Sequence, residues 1–111
     1  MKANELRIGN WVMYNSKIQV NENKIRECVD HPDRFAPIPL TEEWLLKFGF
    51  EYSDLNGDSG LWKIPPFQIY GKYNQFIYDY RLDVNYVHQL QNLYFALTGE
   101  ELTYQNKEDD N

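Results

Sequence analysis

The stretch VNYVHQLQNLYFALTG, residues 84 to 99, decides the fold, because its apolar residues recur with the period of an α-helix. The apolar positions are Val84, Val87, Leu90, Leu93, Tyr94 and Leu97. A spacing of three and four residues places them along one face of a helix. Asp83 can accept from the free N–H groups of the first turn, and Gly99 suits the left-handed position that ends a helix. We therefore predict a C-terminal helix over about residues 84–98, packed on a sheet built from the preceding chain.

The composition favours one domain with substantial β structure. Of the 111 residues, 42% are apolar and 16% are aromatic, with nine Tyr, six Phe and three Trp. This length is close to the commonest size of a single domain, and aromatic side chains favour strands. We predict one α+β domain over residues 1–102, with a subdivision at residues 31–39 as the alternative. Residues 103–111 are predicted to form a flexible acidic tail.

The N-terminal segment has the alternation expected of a β-meander. Residues 6–15, LRIGNWVMYN, and residues 17–21, KIQVN, read as two strands with turn chemistry at Asn15 between them. A third run, residues 24–29, is predicted to continue the meander through Ile25 and Val29. The pattern is similar to the opening of a small SH3-like barrel. A likeness of this kind concerns the fold and gives no function.

A proline-rich connector and a short helix follow. Residues 31–39, HPDRFAPIP, contain three prolines, which exclude a helix interior or a central strand. Thr41 is a good N-cap for a helix over about residues 41–48, and Gly49 can end it. The apolar residues that share one face of this helix are Trp44, Leu45 and Phe48.

Antiparallel hairpins are predicted over about residues 50–82. Asn56-Gly57 is a strong hairpin signal, Pro65-Pro66 ends a strand, and Gly71-Lys72 is predicted to form the next turn. One face of the last strand region is predicted to meet the core. Its residues are Phe76, Tyr78, Tyr80 and Leu82.

The charge distribution disfavours binding to phosphate backbones. The net charge is −6, with +1 over residues 1–34 and −7 over residues 35–111. A nucleic-acid site is therefore expected only in the N-terminal region, where it would use Lys17, Lys24 and Arg26.

The sequence also indicates a compartment. Cys28 is the only cysteine, no signal-length apolar run opens the chain, and no run of eighteen apolar residues occurs. We expect a cytoplasmic protein that does not span a membrane.

Two metal-site patterns fail on their spacing. Asp54, Asn56 and Asp58 match the first calcium ligands of an EF-hand, but Ser59 and Pro65 stand where Gly and Glu are required. Cys28 and His31, joined by His88, give three zinc ligands instead of the usual four. No nucleotide-binding glycine motif or catalytic constellation occurs. We expect no metal, no cofactor and no catalytic residue.

Aromatic and basic residues form the remaining candidate site. They are Trp11, Tyr14, Lys17, Tyr70, Lys72, Tyr73 and Arg81. Three interpretations are open: core packing, a protein-binding face, or a face that stacks nucleotides or nucleic-acid bases.

Three motifs carry a resemblance to a known family: NELRIGNWV at 4–12, PIPLTEEWLLKFGF at 37–50 and VHQLQNLYFALTGEEL at 87–102. Together they resemble a family of small uncharacterised proteins of gut Bacteroidales and of their phages and prophages. The family has no assigned activity, so no site residue is carried over. The resemblance implies a mobile-element setting, in which small acidic proteins often bind a host or phage macromolecule.

These observations favour a non-enzymatic accessory protein that binds a protein partner as an adaptor or inhibitor. An SH3-like nucleic-acid-binding module is one alternative, and a protein that sequesters a small molecule such as a nucleotide is another. Either alternative would need a surface or pocket that the sequence does not define.

Overall fold

The computed structural model describes residues 1–55, 59–72 and 75–105, and it confirms the α+β class. A two-stranded sheet and a five-stranded antiparallel sheet combine with three α-helices in this part of the chain. The elements are β1 (Trp11–Tyr14), β2 (Ser16–Gln19), α1 (Glu22–Asp30), α2 (Glu42–Lys47), β3 (Glu51–Asp54), β4 (Gly60–Ile64), β5 (Phe67–Lys72), β6 (Gln75–Asp79), β7 (Leu82–Asp83) and α3 (Val87–Thr98), with 3₁₀ turns at Ala3–Glu5 and Pro32–Arg34.

The predicted N-terminal hairpin is present. Strands β1 and β2 pair antiparallel, and Asn15 lies between them with a φ of 60°. An Asn tolerates this left-handed conformation better than most residues, because its short side chain can hydrogen-bond locally. The turn signal in the sequence therefore identified the correct residue.

The predicted third strand, residues 24–29, is wrong, because this segment belongs to helix α1. The side chain of Asn21 accepts a hydrogen bond from the Lys24 N–H and so caps the helix. Ile25 and Cys28, three residues apart, lie on the face that packs inward, whereas Val29 is 65% exposed. The spacing of four from Ile25 to Val29 fits one face of a strand or of a helix, whereas the spacing of three from Ile25 to Cys28 fits only a helix.

The connector 31–39 joins the two parts of the protein through short backbone contacts. Ala36 forms an isolated antiparallel bridge with Met13 of β1, and Pro39 forms one with Tyr86. The Val87 N–H also donates to the Ile38 carbonyl at 2.9 Å. The connector is therefore fixed to β1 on one side and to the start of α3 on the other.

The predicted short helix is confirmed as α2. The Thr41 side chain accepts from the Trp44 N–H at 3.4 Å, as expected of an N-cap. Gly49 follows the helix with a φ of 91°, a conformation that a glycine adopts without strain. Trp44, Leu45 and Phe48 are buried, as the pattern indicated.

The predicted hairpins form the five-stranded sheet, in which each strand pairs with the next in the order β3-β4-β5-β6-β7. The Asn56-Gly57 turn lies outside the described residues, although the β3–β4 pairing it predicted is present. The turn predicted at Gly71-Lys72 is wrong, because both residues belong to β5 and pair with β6. Strand β5 begins directly after Pro65-Pro66 and ends six residues later, at Lys72.

The core face predicted for the last strand region is only partly correct. Phe76 is buried and Tyr78 is half-buried, but Tyr80 is 82% exposed and Leu82 is 42% exposed. The register of β6 and β7 shifts between Ile77 and Asp79, and the chain then turns. The alternation of core-facing and outward-facing side chains therefore ends before Tyr80 and Leu82, the last two residues of the predicted face.

Helix α3 is confirmed, but it begins at Val87 instead of Val84. Asp83 is not its cap, because Asp83 lies in β7 and Tyr86 occupies the N-cap position. Gly99 ends the helix with a φ of 76°, as predicted. The helix packs on the sheet, where the ring of its Tyr94 lies 5.2 Å from that of Phe67.

Within the described ranges, the buried apolar side chains form two clusters. The smaller lies in the N-terminal part and consists of Leu6, Val12, Val20, Cys28 and Phe35. The larger lies between the five-stranded sheet, α2 and α3, and it runs in sequence from Ile38 to Leu102. The boundary between the clusters thus falls within the connector.

The start of the predicted tail is packed against the protein, which corrects the expectation for residues 103–105. The Tyr104 ring lies 5.1 Å from Trp11 and 5.3 Å from Trp44. The Gln105 N–H donates to the Lys47 carbonyl at 2.6 Å. The rest of the predicted tail, residues 106–111, lies outside the described residues.

Across the described part of the chain, no helix combines the length and the apolar character needed to cross a bilayer. The longest, α3, has 12 residues.

Candidate functional site

A buried hydrogen-bond network joins the N-terminal segment to helix α3. Gln91 is 2% exposed. Its Oε1 accepts from the Trp11 N–H at 2.8 Å, and its Nε2 donates to the Gly9 carbonyl at 3.0 Å. Asn10, also buried, donates through Nδ2 to Asn92 Oδ1 at 2.9 Å. Gln91 thus pairs with two backbone groups of the N-terminal segment, and Asn10 pairs with a side chain of α3.

Arg7 extends the network to the protein surface. Its Nη1 donates to Asn92 Oδ1 at 3.0 Å, and its Nη2 pairs with the Glu101 carboxylate. The guanidinium also lies 4.0 Å from the centre of the Phe95 ring. The first and last motifs that carry the family resemblance, 4–12 and 87–102, therefore meet in space, and several of their polar residues have a structural role.

Beside this network lies a groove between helix α3, strand β7 and the N-terminal 3₁₀ turn, with a volume of about 410 Å³. We call it the α3 groove. Its lining residues are Glu5, Leu82, Asp83, Val84, His88, Gln89, Asn92 and Leu93. Val84 and His88 are almost fully buried, while Glu5 and Asp83 are exposed. The groove thus combines buried and exposed lining residues.

His88 is the buried titratable group of the α3 groove. Its residue exposure is 1%, and its Nε2 lies 3.3 Å from Glu5 Oε1. Its Nδ1 is buried and has no hydrogen-bond partner within the described parts of the chain. Burial lowers the pKa of His88, although the hydrogen bond to Glu5 opposes this effect. The imidazole is therefore neutral at neutral pH.

The tautomer of His88 follows from its neighbour. An ionised carboxylate only accepts hydrogen bonds, so Glu5 favours the form in which Nε2 carries the proton. Nδ1 then carries a lone pair, and no described residue donates a hydrogen bond to it. Asp83 also lines the groove, and it is paired with Ile77 in the sheet.

Two of the predicted site residues, Trp11 and Lys17, come together in an aromatic cluster. Trp11 lies 5.5 Å from Trp44 and 5.1 Å from Tyr104, and the Lys17 ammonium lies 5.6 Å from the Trp44 ring. The Trp11 Nε1 is buried and has no acceptor among the described residues. Trp11 is therefore mainly a packing residue, at the junction of α2, β1 and the C-terminal segment.

Tyr14, a third predicted residue, belongs to the N-terminal cluster. Its ring lies 4.9 Å from Phe35, and its hydroxyl donates to the Glu27 carboxylate. This hydrogen bond lowers the pKa of Glu27, with further help from Lys24. Lys24 lies over the Tyr14 ring at 4.0 Å.

Acidic neighbours partly neutralise the cations predicted to bind nucleic acid, which are Lys17, Lys24 and Arg26. Lys24 lies 3.2 Å from Glu27, and the hydrogen bond between them raises the pKa of Lys24. Arg26 lies 2.8 Å from Glu22, one helical turn away. Of the three cations assigned to nucleic-acid binding, only Lys17 is outside these pairs.

Tyr70, Lys72 and Arg81 lie on or near the five-stranded sheet. Because successive residues of a strand point to opposite faces, Trp62, Ile69 and Phe76 face the core and Leu61, Tyr70 and Ile77 face the other side. Lys72 lies 3.2 Å from Asp54, and Tyr73 lies outside the described residues.

Leu61, Tyr70 and Ile77 are neighbours across three strands, because Tyr70 is paired with each of the other two. Tyr70 and Ile77 also line a shallow depression of about 560 Å³ together with Tyr80. We call Leu61, Tyr70, Ile77 and Tyr80 the outer sheet patch. Arg81, the last predicted residue, lies beside it, with its guanidinium 4.9 Å from the Tyr80 ring.

No group of three or more His, Cys, Asp or Glu residues in the described ranges could hold a metal ion. Cys28 is buried in the N-terminal cluster, where burial raises the pKa of its thiol. A protonated, buried thiol is a poor nucleophile.

Comparison with known proteins gave no match, either to a protein-family model, to a curated protein or to a solved structure.

Sequence reasoning missed the α3 groove and the buried network beside it. The groove combines residue 5 with residues 82–84 and 88–93, and their proximity depends on how the N-terminal segment packs on α3. One signal was present in the sequence. The polar residues His88, Gln91 and Asn92 lie beside the apolar stripe of α3, and buried polar side chains require specific partners.

Proposed function

We propose that this protein is a non-enzymatic accessory protein that acts by binding another protein through the outer sheet patch. The observation that carries the proposal is the alignment of Leu61, Tyr70 and Ile77 across three strands, on the face of the sheet opposite the core. None of the three belongs to either buried cluster. A contiguous apolar and aromatic face of this kind is typical of a protein-interaction site.

The edge of the patch supports the same function. Tyr80 is 82% exposed, and Arg81 lies beside its ring. Tyr and Arg are among the residues that contribute most to binding energy at protein interfaces. Stacking of the guanidinium on the ring also restricts both side chains before a partner arrives, which reduces the entropy lost on binding.

The family resemblance supports the biological setting. It implies a phage or prophage protein of gut Bacteroidales, acting in the cytoplasm of the host as an adaptor or inhibitor. The net charge of −6 is compatible with a protein partner and disfavours a nucleic acid. The alternative of an SH3-like nucleic-acid module has less support, because Lys24 and Arg26 are both paired with glutamates.

Affinity capture from a Bacteroidales lysate, with and without nuclease, tests the proposal when variants of the patch are included. The variants are Ile77→Thr and Tyr80→Ala. Val29→Thr is the matched control, because it makes a similar change at an exposed residue of α1, in the N-terminal part. Circular dichroism confirms that each variant is folded.

We expect one protein to be recovered in stoichiometric amount with or without nuclease, and to be lost with both patch variants but retained with the control. Replacement of an interface tyrosine is expected to weaken binding about tenfold or more. Recovery that disappears after nuclease treatment would favour the nucleic-acid function. Equal recovery with wild-type protein and patch variants would contradict the role of the outer sheet patch.

A further inference from the structure

We propose that the outer sheet patch also binds a second copy of this chain, which gives a two-fold symmetric dimer. In this dimer the outer faces of the two five-stranded sheets pack on each other, and the two-fold axis runs parallel to β5. The inference rests on the proposed function in one respect, because it takes the same patch as a binding surface. It adds that this surface is complementary to itself.

The outer face of the sheet carries two rows of side chains that cross the strands. Strand pairing aligns the first row, whose members are Ser53, Leu61, Tyr70, Ile77 and Asp83. The second row lies two residues further along the sheet, since every second residue of a strand points to the same face. Its members are Glu51, Lys63, Gln68 and Asp79. Because β5 is the middle strand, two strands lie on each side of it.

Rotation about an axis along β5 exchanges the two sides of each row. Strand β4 of one copy then meets β6 of the second copy. In the first row, Leu61 faces Ile77 of the second copy, so that apolar surface covers apolar surface. In the second row, Lys63 faces Asp79 of the second copy, and this contact occurs twice because the dimer is symmetric. Tyr70 lies at the axis and meets its own counterpart.

The charges of the second row select this orientation. Neither Lys63 nor Asp79 takes part in an ion pair within the described residues. Asp79 accepts from the Arg81 N–H through Oδ1, which leaves its second oxygen for Lys63. A two-fold axis along the first row would instead bring Asp83 against its own counterpart, and like charges repel at an interface.

The size of the contact indicates a weak dimer. Neighbouring strands lie about 4.8 Å apart, so five strands form a face about 20 Å wide. A contact of this width is at the lower end of specific interfaces, and we expect a dissociation constant in the micromolar range. The charge of −6 on each copy opposes association at low ionic strength, and salt screens this repulsion.

Sedimentation equilibrium of the purified full chain at about 0.15 M NaCl tests the inference. We expect the wild-type protein to show a monomer–dimer equilibrium. Lys63→Asp and Asp79→Lys are each expected to weaken dimerisation about tenfold, because each replaces two attractive contacts by two repulsive ones. An equimolar mixture of the two variants is expected to recover wild-type association, since each altered side chain meets an opposite charge in the mixed dimer.

Lys2→Asp and Asp33→Lys are the matched controls. They make the same charge changes at exposed residues of the N-terminal part, and they are expected to leave the dissociation constant unchanged. Circular dichroism confirms that each variant is folded.

Three results would overturn the inference: a wild-type protein that remains monomeric, equal dimerisation of wild-type protein and the single variants, or a mixture that associates no better than each variant alone. None of them contradicts the proposed function, which fails instead when affinity capture recovers no partner that depends on the outer sheet patch.

Discussion

At the scale of single residues, the buried polar side chains of α3 have different roles. Gln91 uses both ends of its amide to satisfy backbone groups of Trp11 and Gly9. Among the described residues, His88 has a hydrogen-bond partner for only one of its two ring nitrogens. A buried polar group with all its partners stabilises one arrangement of the chain, whereas an unsatisfied group destabilises it. The difference makes Gln91 a residue that stabilises the junction with the N-terminal segment, whereas the burial of His88 costs free energy.

Burial of His88 predicts a pH dependence of stability. Its pKa is lowered in the folded protein from the ordinary value of 6.5, which applies to the unfolded chain. As the pH falls below about 6.5, the unfolded chain binds a proton that the folded protein does not bind. The free energy of unfolding therefore falls, by at most about 1.4 kcal/mol per pH unit for this one group, until the pH passes below the folded-state pKa. Above about pH 6.5 the contribution is constant.

Urea denaturation between pH 5 and 8 measures this effect. The variant His88→Gln is expected to lose the decline in stability on acidification. His31→Gln is the control, because it removes the other histidine at an exposed position, and it is expected to keep the wild-type profile. A decline that persists unchanged in His88→Gln would show that other groups cause it.

At the scale of elements, local chemistry decided most of the boundaries. Thr41 and Gly49 delimit α2, and Gly99 ends α3, since caps depend on residues within one turn of the helix end. The pattern of residues 24–29 predicts a strand because Ile25 and Val29, four residues apart, also fit the period of a strand. Asn21 is the local signal for a helix, since it caps α1.

The cap of α1 gives a test of this correction. Asn21→Ala removes the side chain that accepts from the Lys24 N–H at 2.9 Å and is expected to lower the free energy of unfolding by about 1 kcal/mol. Asn23→Ala, two residues further on and inside the helix, removes no cap and raises helix propensity, so it is expected to stabilise by a few tenths of a kcal/mol. Denaturant unfolding measures both. If residues 24–29 formed a strand, the two substitutions would not change the free energy of unfolding in opposite directions.

At the scale of the whole molecule, two sets of side-chain contacts join the N-terminal cluster to the larger core in addition to the connector. One is the hydrogen-bond network between residues 7–10 and α3, and the other is the aromatic cluster of Trp11, Trp44 and Tyr104. Both connect residues more than thirty positions apart in sequence. The groove and the packing of Tyr104 depend on them.

Loss of Gln91 is therefore expected to affect the whole fold. Gln91→Met preserves the length of the side chain but leaves the Trp11 N–H and the Gly9 carbonyl without this partner, and we expect a loss of about 2–3 kcal/mol in the free energy of unfolding. Gln75→Met, at an exposed position of β6, is the matched control and is expected to change stability by less than about 0.5 kcal/mol. Equal unfolding midpoints in urea for the two variants would contradict the structural role of Gln91.

The sequence by itself determined the α+β class, the N-terminal hairpin, helices α2 and α3, and the antiparallel pairing from residue 50 onward. These features depend on periodicity, caps and turns, which act over a few residues. Only the tertiary structure decided that Tyr104 packs on Trp11, that Tyr80 is exposed, and that Glu5 lies beside His88. The physical reason is that side-chain burial and the pairing of distant polar groups depend on how the elements pack, and no local pattern specifies that packing.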